Sequence, residues 1–159
     1  MKEIDKKLIE TISRYTASGI DQQGDYEKFY LYSLITHSTA IEGSTVTEVE
    51  NQLLFDEGIA AKGRSLNEQM MNVDLKNAYL YGFEWAKTGQ PYSVELLCEL
   101  SAKVMRRTGS EYSTMGGSFD SSKGELRRCN VSAGIGGRSY LAFQKIPKAT
   151  ADFCDWLNG

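Results

Sequence analysis

Thr36-His-Ser-Thr-Ala-Ile-Glu42-Gly43-Ser-Thr-Val-Thr47 decides the fold class. Its first half ends an apolar run from Asp25 to about Ile41 that carries Tyr26, Phe29, Tyr30, Leu31, Tyr32, Leu34 and Ile35 with few charges. Apolar side chains on several faces predict a helix lying among other helices rather than on a surface. Glu42-Gly43-Ser44 breaks that helix. Thr47 stands three residues before Glu50, the spacing at which a hydroxyl and a carboxylate satisfy each other's orphan backbone donors. A second helix therefore opens there, with Val49, Leu53 and Leu54 along one face and Gly58 as its stop.

Upstream, Ile4, Leu8, Ile9, Ile12 and Tyr15 recur at helical spacing and predict an amphipathic helix over 3–17, followed by a turn at Asp21-Gln-Gln-Gly24. Downstream, a long helix covers 65–87, with Met70, Val73, Asn77, Leu80 and Glu84 spaced along it. After the break at Gly89-Gln-Pro91, Ser93 caps another helix carrying Val94, Leu97, Leu100 and Val104 to about Arg107. Beyond Arg107 the chain turns rich in Gly and Ser. Two extended runs, Leu126–Val131 and Ser139–Phe143, joined by Ser132-Ala-Gly-Ile-Gly-Gly137, predict a β-hairpin. A last helix carries Ala149, Phe153, Trp156 and Leu157 to Asn158-Gly159. The expected fold class is mainly α, a helical bundle with one hairpin. The composition shift divides the chain into 1–108 and 109–159.

The 159 residues are 41% hydrophobic and 25% charged with only 2 Pro, a globular rather than disordered composition. Eighteen Lys and Arg against 21 Asp and Glu give a net charge of −3, so no basic footprint for nucleic acid or anionic lipid exists. No apolar run suits a signal peptide or a membrane span. Cys98, Cys129 and Cys154 are widely spaced and read as free thiols, which places the chain in the cytoplasm.

Several features that invite a chemical role have simpler readings. Gly134-Ile-Gly-Gly137 and Gly116-Gly-Ser-Phe-Asp-Ser-Ser-Lys-Gly124 lack the Gly-Lys-Ser/Thr that must run into a helix to cradle phosphates. Their glycines read as turn positions needing positive φ. His37, the single His, has no Asp placed by the sequence to orient it and is given no catalytic role. Arg106-Arg107 and Arg127-Arg128 read as solvated charge. Ser38 and Glu42 differ: four residues apart, they share a helical face. Glu42 also stands at a helix C-terminus, where the macrodipole disfavours negative charge. Its carboxylate is therefore either solvated or neutralised by a cation.

Ser38-x-x-x-Glu42-Gly43 resembles the inhibitory motif of Fic proteins, Ser/Thr-x-x-x-Glu followed by Gly or Asn. In matching order, Gly124-Glu-Leu-Arg127, Val131, Tyr140-Leu-Ala-Phe-Gln-Lys-Ile-Pro147 and Trp156-Leu-Asn158 resemble that family's Arg-containing segment, flap and following helix. The resemblance spans roughly 25–158. The signature His-x-Phe-x-Asp/Glu-Gly-Asn-Gly-Arg-x-x-Arg is absent. In the family it supplies the general base, the Mg²⁺ ligand, the phosphate cradle and the nucleotide-gripping arginines.

The resemblance implies a protein AMP-transferase, moving AMP from ATP to a Ser, Thr or Tyr hydroxyl of a target protein. Glu42 would occupy the signature's last Arg and deflect the γ-phosphate, with Ser38 and Gly43 in support. Ser139, Tyr140, Leu141, Ala142, Phe143, Gln144 and Lys145 would form the target-docking flap. ATP and Mg²⁺ belong to the complete family enzyme, and neither is expected on this chain alone, which should be inactive as it stands. The expected partners are a complementary Fic segment, following Gly159 or on another chain, and a target protein at the flap; a second copy of the chain is a further candidate. The alternative is a non-catalytic helical binding module, or an antitoxin-like inhibitor acting on a separate Fic chain.

Overall fold

The computed structural model describes residues 3–20, 24–134 and 136–159. The turn expected at Asp21-Gln-Gln-Gly24 lies outside them up to residue 23. Six helices follow in order: α1 (Glu3–Ala17), α2 (Tyr26–Ile41), α3 (Glu48–Asp56), α4 (Leu66–Thr88), α5 (Val94–Val104) and α6 (Ile146–Asn158). Strands β1 (Glu111–Thr114) and β2 (Gly117–Asp120) form an antiparallel pair between α5 and α6. The mainly helical fold with one hairpin is as the sequence predicts.

Caps set the helix starts. Asp25, Thr47, Ser65 and Ser93 each accept an N–H from the first turn, and Thr47–Glu50 and Ser65–Glu68 are complete capping boxes. Helix α4 stops at Gly89, whose φ of 65° is left-handed.

The hairpin is not where the sequence placed it. Its strands lie at 111–114 and 117–120, and Tyr112 stacks on Phe119 with centroids 5.0 Å apart. The expected pair, Leu126–Val131 with Ser139–Phe143, is reduced to one bridge between Ser132 and Ser139 and a Tyr140 N–H donated to the Val131 carbonyl. Side chains have claimed the backbone groups a ladder would need. Thr114 Oγ1 donates to the Arg128 carbonyl at 2.8 Å and Arg127 Nη2 to the Leu141 carbonyl at 2.6 Å. Asn130 Oδ1 accepts the Phe143 N–H at 3.1 Å. Phe143–Lys145 then turns as a 3₁₀ helix into α6.

The core is unusually polar. Ile35, Val46, Ala78 and Leu96 are buried, but the larger side chains with almost no exposure include Asn51, Asn72, Thr39 and Asp74. On α4 the buried positions are Gln69, Asn72, Asp74 and Ala78, not the series Met70, Val73, Asn77, Leu80 and Glu84 read from the sequence. Helix α2 buries Tyr32, Ile35, Thr36 and Thr39 against α3 and α4, while Phe29, Tyr30, Leu34 and Ile41 are exposed. Its apolar circumference is thus only partly covered.

Candidate functional site

The turn after α2 is held from below by buried polar groups. Thr39 anchors it: its carbonyl accepts the N–H groups of Glu42 and Ser44, both at 3.0 Å. Its hydroxyl is 2.8 Å from Asn72 Oδ1, which also accepts from Asn51 Nδ2 at 2.8 Å. Asn72 Nδ2 donates to Ser44 Oγ at 3.1 Å and to the Glu68 carbonyl at 2.8 Å. Asn51 Nδ2 donates further to Thr36 Oγ1 at 2.8 Å, while Asn51 Oδ1 is buried with no partner among the described residues.

Glu68 fixes the turn from the other side. One carboxylate oxygen accepts the Thr45 N–H and hydroxyl, at 2.8 and 2.7 Å; the other accepts the Ser65 N–H and hydroxyl, at 2.9 and 2.7 Å. Four donors stabilise the anion and, led by the Thr45 and Ser65 hydroxyls, pull its pKa down to about 2. Arg64 is engaged nearby, its Nε 3.2 Å from both Glu50 oxygens and its Nη1 3.0 Å from Thr45 Oγ1.

On this scaffold Glu42 is the C-cap of α2 and is exposed, Gly43 has a φ of 94°, and Ser38 is half-buried one turn earlier. No ion pair joins Glu42 to a cation among the described residues. The positive φ at Gly43 is one that L side chains rarely adopt, so the residue after Glu42 is constrained to glycine by the backbone. The three residues of the motif are therefore contiguous at one helix end, above a fixed turn.

The residues expected to form a flap lie elsewhere along the chain. Ser139, Tyr140 and Leu141 are exposed, Ala142 and Phe143 half-buried, and Gln144 and Lys145 exposed on the 3₁₀ turn. Arg127 braces the segment through the Leu141 carbonyl. The phenyl ring of Phe143 packs against Gly116, where an added Cβ would lie 2.7 Å from it. Asn158, at the end of α6, clasps the backbone N–H and carbonyl of Tyr92, both at 2.8 Å.

Three side chains read as bystanders or solvated charge have partners. His37 Nε2 lies 3.3 Å from a Glu48 oxygen that Ser33 also donates to at 2.7 Å, so the acid beside His37 comes from α3. Arg107 is not solvated charge: its backbone N–H donates to Asp74 Oδ2 at 2.7 Å and its guanidinium pairs with Asp74 Oδ1. Arg127 donates to the Cys129 and Leu141 carbonyls. Asn72, Asn51 and Glu68 were not singled out at all; of these only Glu68 carries a local signal, the Ser65-x-x-Glu68 capping-box spacing. Of the glycines in the two Gly-rich stretches, Gly117, Gly124, Gly134 and Gly136 have the expected positive φ, whereas Gly116 and Gly137 do not and instead lie where an added Cβ would meet the Arg128 and Ala133 carbonyls. All three cysteines are free thiols, and burial raises the pKa of Cys98.

No group of three or more His, Cys, Asp or Glu that could hold a metal ion occurs among the described residues. No helix among the described residues is long and apolar enough to cross a membrane. No protein-family model and no curated protein matches the sequence. A solved structure does: "Fic-1 (aa134 - 508) from C. elegans" superposes with a TM-score of 0.59 at 17% identity. The fold is Fic-like. The match covers 98% of this chain and 44% of that one, so the chain spans less than half of its Fic neighbour.

Proposed function

We propose that this chain is the regulatory and target-docking portion of a Fic-type protein AMP-transferase, held inactive by Glu42. The observation that carries the reading is the state of that carboxylate: exposed, unpaired with any described cation, and at the helix end whose dipole disfavours it. An arginine delivered there would offset the dipole and form a charge-assisted, two-pronged hydrogen bond. The Fic-like fold gives the arginine a source, the family signature, carried by further polypeptide in the same chain or another. With its last arginine engaged by Glu42, the signature would hold the γ-phosphate out of place. Phosphoryl-type transfer depends on positioning and charge stabilisation, so this displacement is sufficient to block it.

Ser38 supports the carboxylate from one turn below, and the Ser139–Lys145 segment docks an extended stretch of target. Docking there by strand addition, a mode with little sequence preference, would have to displace the contacts that Val131, Arg127 and Asn130 make with the backbone of Tyr140, Leu141 and Phe143.

The test is transfer of labelled AMP from ATP by polypeptide that unites residues 1–159 with the signature, as one chain or two. Glu42→Gly is expected to raise labelling of the target and of the protein itself, and the same substitution in 1–159 alone to change nothing. Unchanged labelling in the united system refutes the role of Glu42. The coding sequence after Gly159 decides between arrangements: an in-frame signature makes the inhibition internal, and a stop codon makes it act on a separate chain.

A further inference from the structure

Helix α2 loses its packing just before Glu42. Residues 40–43 are all exposed, and the chain is buried on either side of them, at Thr39 and at Ser44. Both flanking residues are polar, and both bond to the same amide on α4. Asn72 Oδ1 lies 2.8 Å from the Thr39 hydroxyl, and Asn72 Nδ2 donates to Ser44 Oγ at 3.1 Å. Among the described residues, Asn72 is the one side chain hydrogen-bonded on both sides of the exposed bend. Its two further bonds, from Asn51 Nδ2 and to the Glu68 carbonyl, use both remaining capacities of the amide. An Asp there would lack the two donors, and a Leu would lack donors and acceptor alike.

We propose that Asn72 is a positioning residue for the inhibitory carboxylate, tying both ends of the 40–43 bend to α4 and so setting where Glu42 points. The inference rests on the reading of Glu42 given above and assigns the part of the chain that makes its inhibition effective. Asn72 acts through Thr39, whose carbonyl accepts the N–H groups of Glu42 and Ser44 at 3.0 Å. Without the amide, Thr39 keeps hydroxyl contacts only within α2, to the Ile35 and Thr36 carbonyls, and Ser44 Oγ keeps only the Val46 N–H. The nearest hydrogen bond to α4 is then beyond the bend, from Thr45 to Glu68. A two-pronged contact between carboxylate and guanidinium depends on aim, so a bend held at one end loses it.

The test uses polypeptide uniting residues 1–159 with the signature and reads the repression ratio, the labelling by Glu42→Gly divided by that of its Glu42 parent. Asn72→Ala is expected to lower that ratio at least about fivefold, the change that one lost buried hydrogen bond corresponds to. Thr39→Val, which keeps the carbonyl and leaves Asn72 Oδ1 with Asn51, is expected to lower it in the same direction and decides the matter if Asn72→Ala does not fold. Leu96→Ala, a core truncation on α5 with a comparable loss of stability, is expected to leave the ratio unchanged. A second readout needs only residues 1–159: hydrogen exchange at the Glu42 and Ser44 amides should quicken in Asn72→Ala and Thr39→Val and not in Leu96→Ala. An unchanged ratio in the folded Asn72 and Thr39 variants, or an equal fall in Leu96→Ala, overturns the positioning role while leaving the inhibition by Glu42 in place. A ratio of one in the parent itself overturns the inhibitory reading, and this inference with it.

Discussion

Asn72→Ala is the sharpest probe of the turn that carries Glu42. The wild-type amide makes four hydrogen bonds in a fully buried setting, to Thr39, Asn51, Ser44 and the Glu68 carbonyl. Three of those partners keep a second contact: Thr39 the Ile35 carbonyl, Ser44 the Val46 N–H, and Glu68 its place in the helix ladder. Asn51 is left worse off. One of its N–H groups still reaches Thr36, the other is stranded, and its Oδ1 already lacks a partner among the described residues. A stranded buried donor costs about 1–3 kcal/mol, and the small cavity raises the expected loss to about 2–4 kcal/mol. Against a typical stability of about 5–15 kcal/mol, that should lower a urea midpoint by about 1–2 M with the m-value unchanged. Asn51→Ala is expected to lose less, because it removes an acceptor that is already unpartnered. The measurement is urea unfolding followed by far-UV circular dichroism. A loss below about 0.5 kcal/mol for Asn72→Ala, or the reverse ranking, refutes a closed network beneath the turn.

Glu68 makes the same region acid-sensitive. Its pKa falls from 4.5 to about 2 on folding, so its contribution is fully present above pH 4.5 and is lost as pH falls toward 2. Glu68→Gln should flatten the acid limb of stability between those values, read from thermal midpoints in a pH series; an unaltered limb counts against the four-donor geometry. Gly124→Ala should severely destabilise the packing of the post-hairpin turn on α5, since φ is +72° and the new Cβ would lie 1.9 Å from the Cys98 carbonyl oxygen. A near-native thermal midpoint for that variant would show that the turn can move away from α5.

The parts of the fold legible in the sequence are those specified within a few residues. The bounds of α1 come from its apolar spacing, and the starts at Asp25, Thr47 and Ser93 come from caps that act over three positions. The hairpin was misplaced because its competition is long-range. Thr114, Arg127 and Asn130 take up backbone groups up to 14 residues away, and no local pattern announces that. The interior of α4 was misread for a related reason. Helical periodicity marks apolar residues as inward, whereas Asn72 and Asp74 face inward because Thr39, Asn51 and Arg107 are there to meet them. Of the candidate site, Ser38, Glu42 and Gly43 were visible as a motif, but the cluster that fixes their turn was not.

A polar cluster in this position does something an apolar one would not. Apolar side chains tolerate sliding and repacking, while a hydrogen-bonded amide has few acceptable arrangements, so Asn72 and Thr39 pin α2 to α4 in one register. A slip of one residue along α2 would turn its outward face by about 100° and aim position 42 in another direction. The same choice limits stability, since few large apolar side chains are buried while Leu34, Ile41 and Phe83 are left uncovered. Orientation of the acid is thus specified inside the chain, and much of the apolar burial that would stabilise α2 is left to whatever covers its outer face. On that division, a partner that docks there should raise the stability of the chain without altering the direction in which Glu42 points.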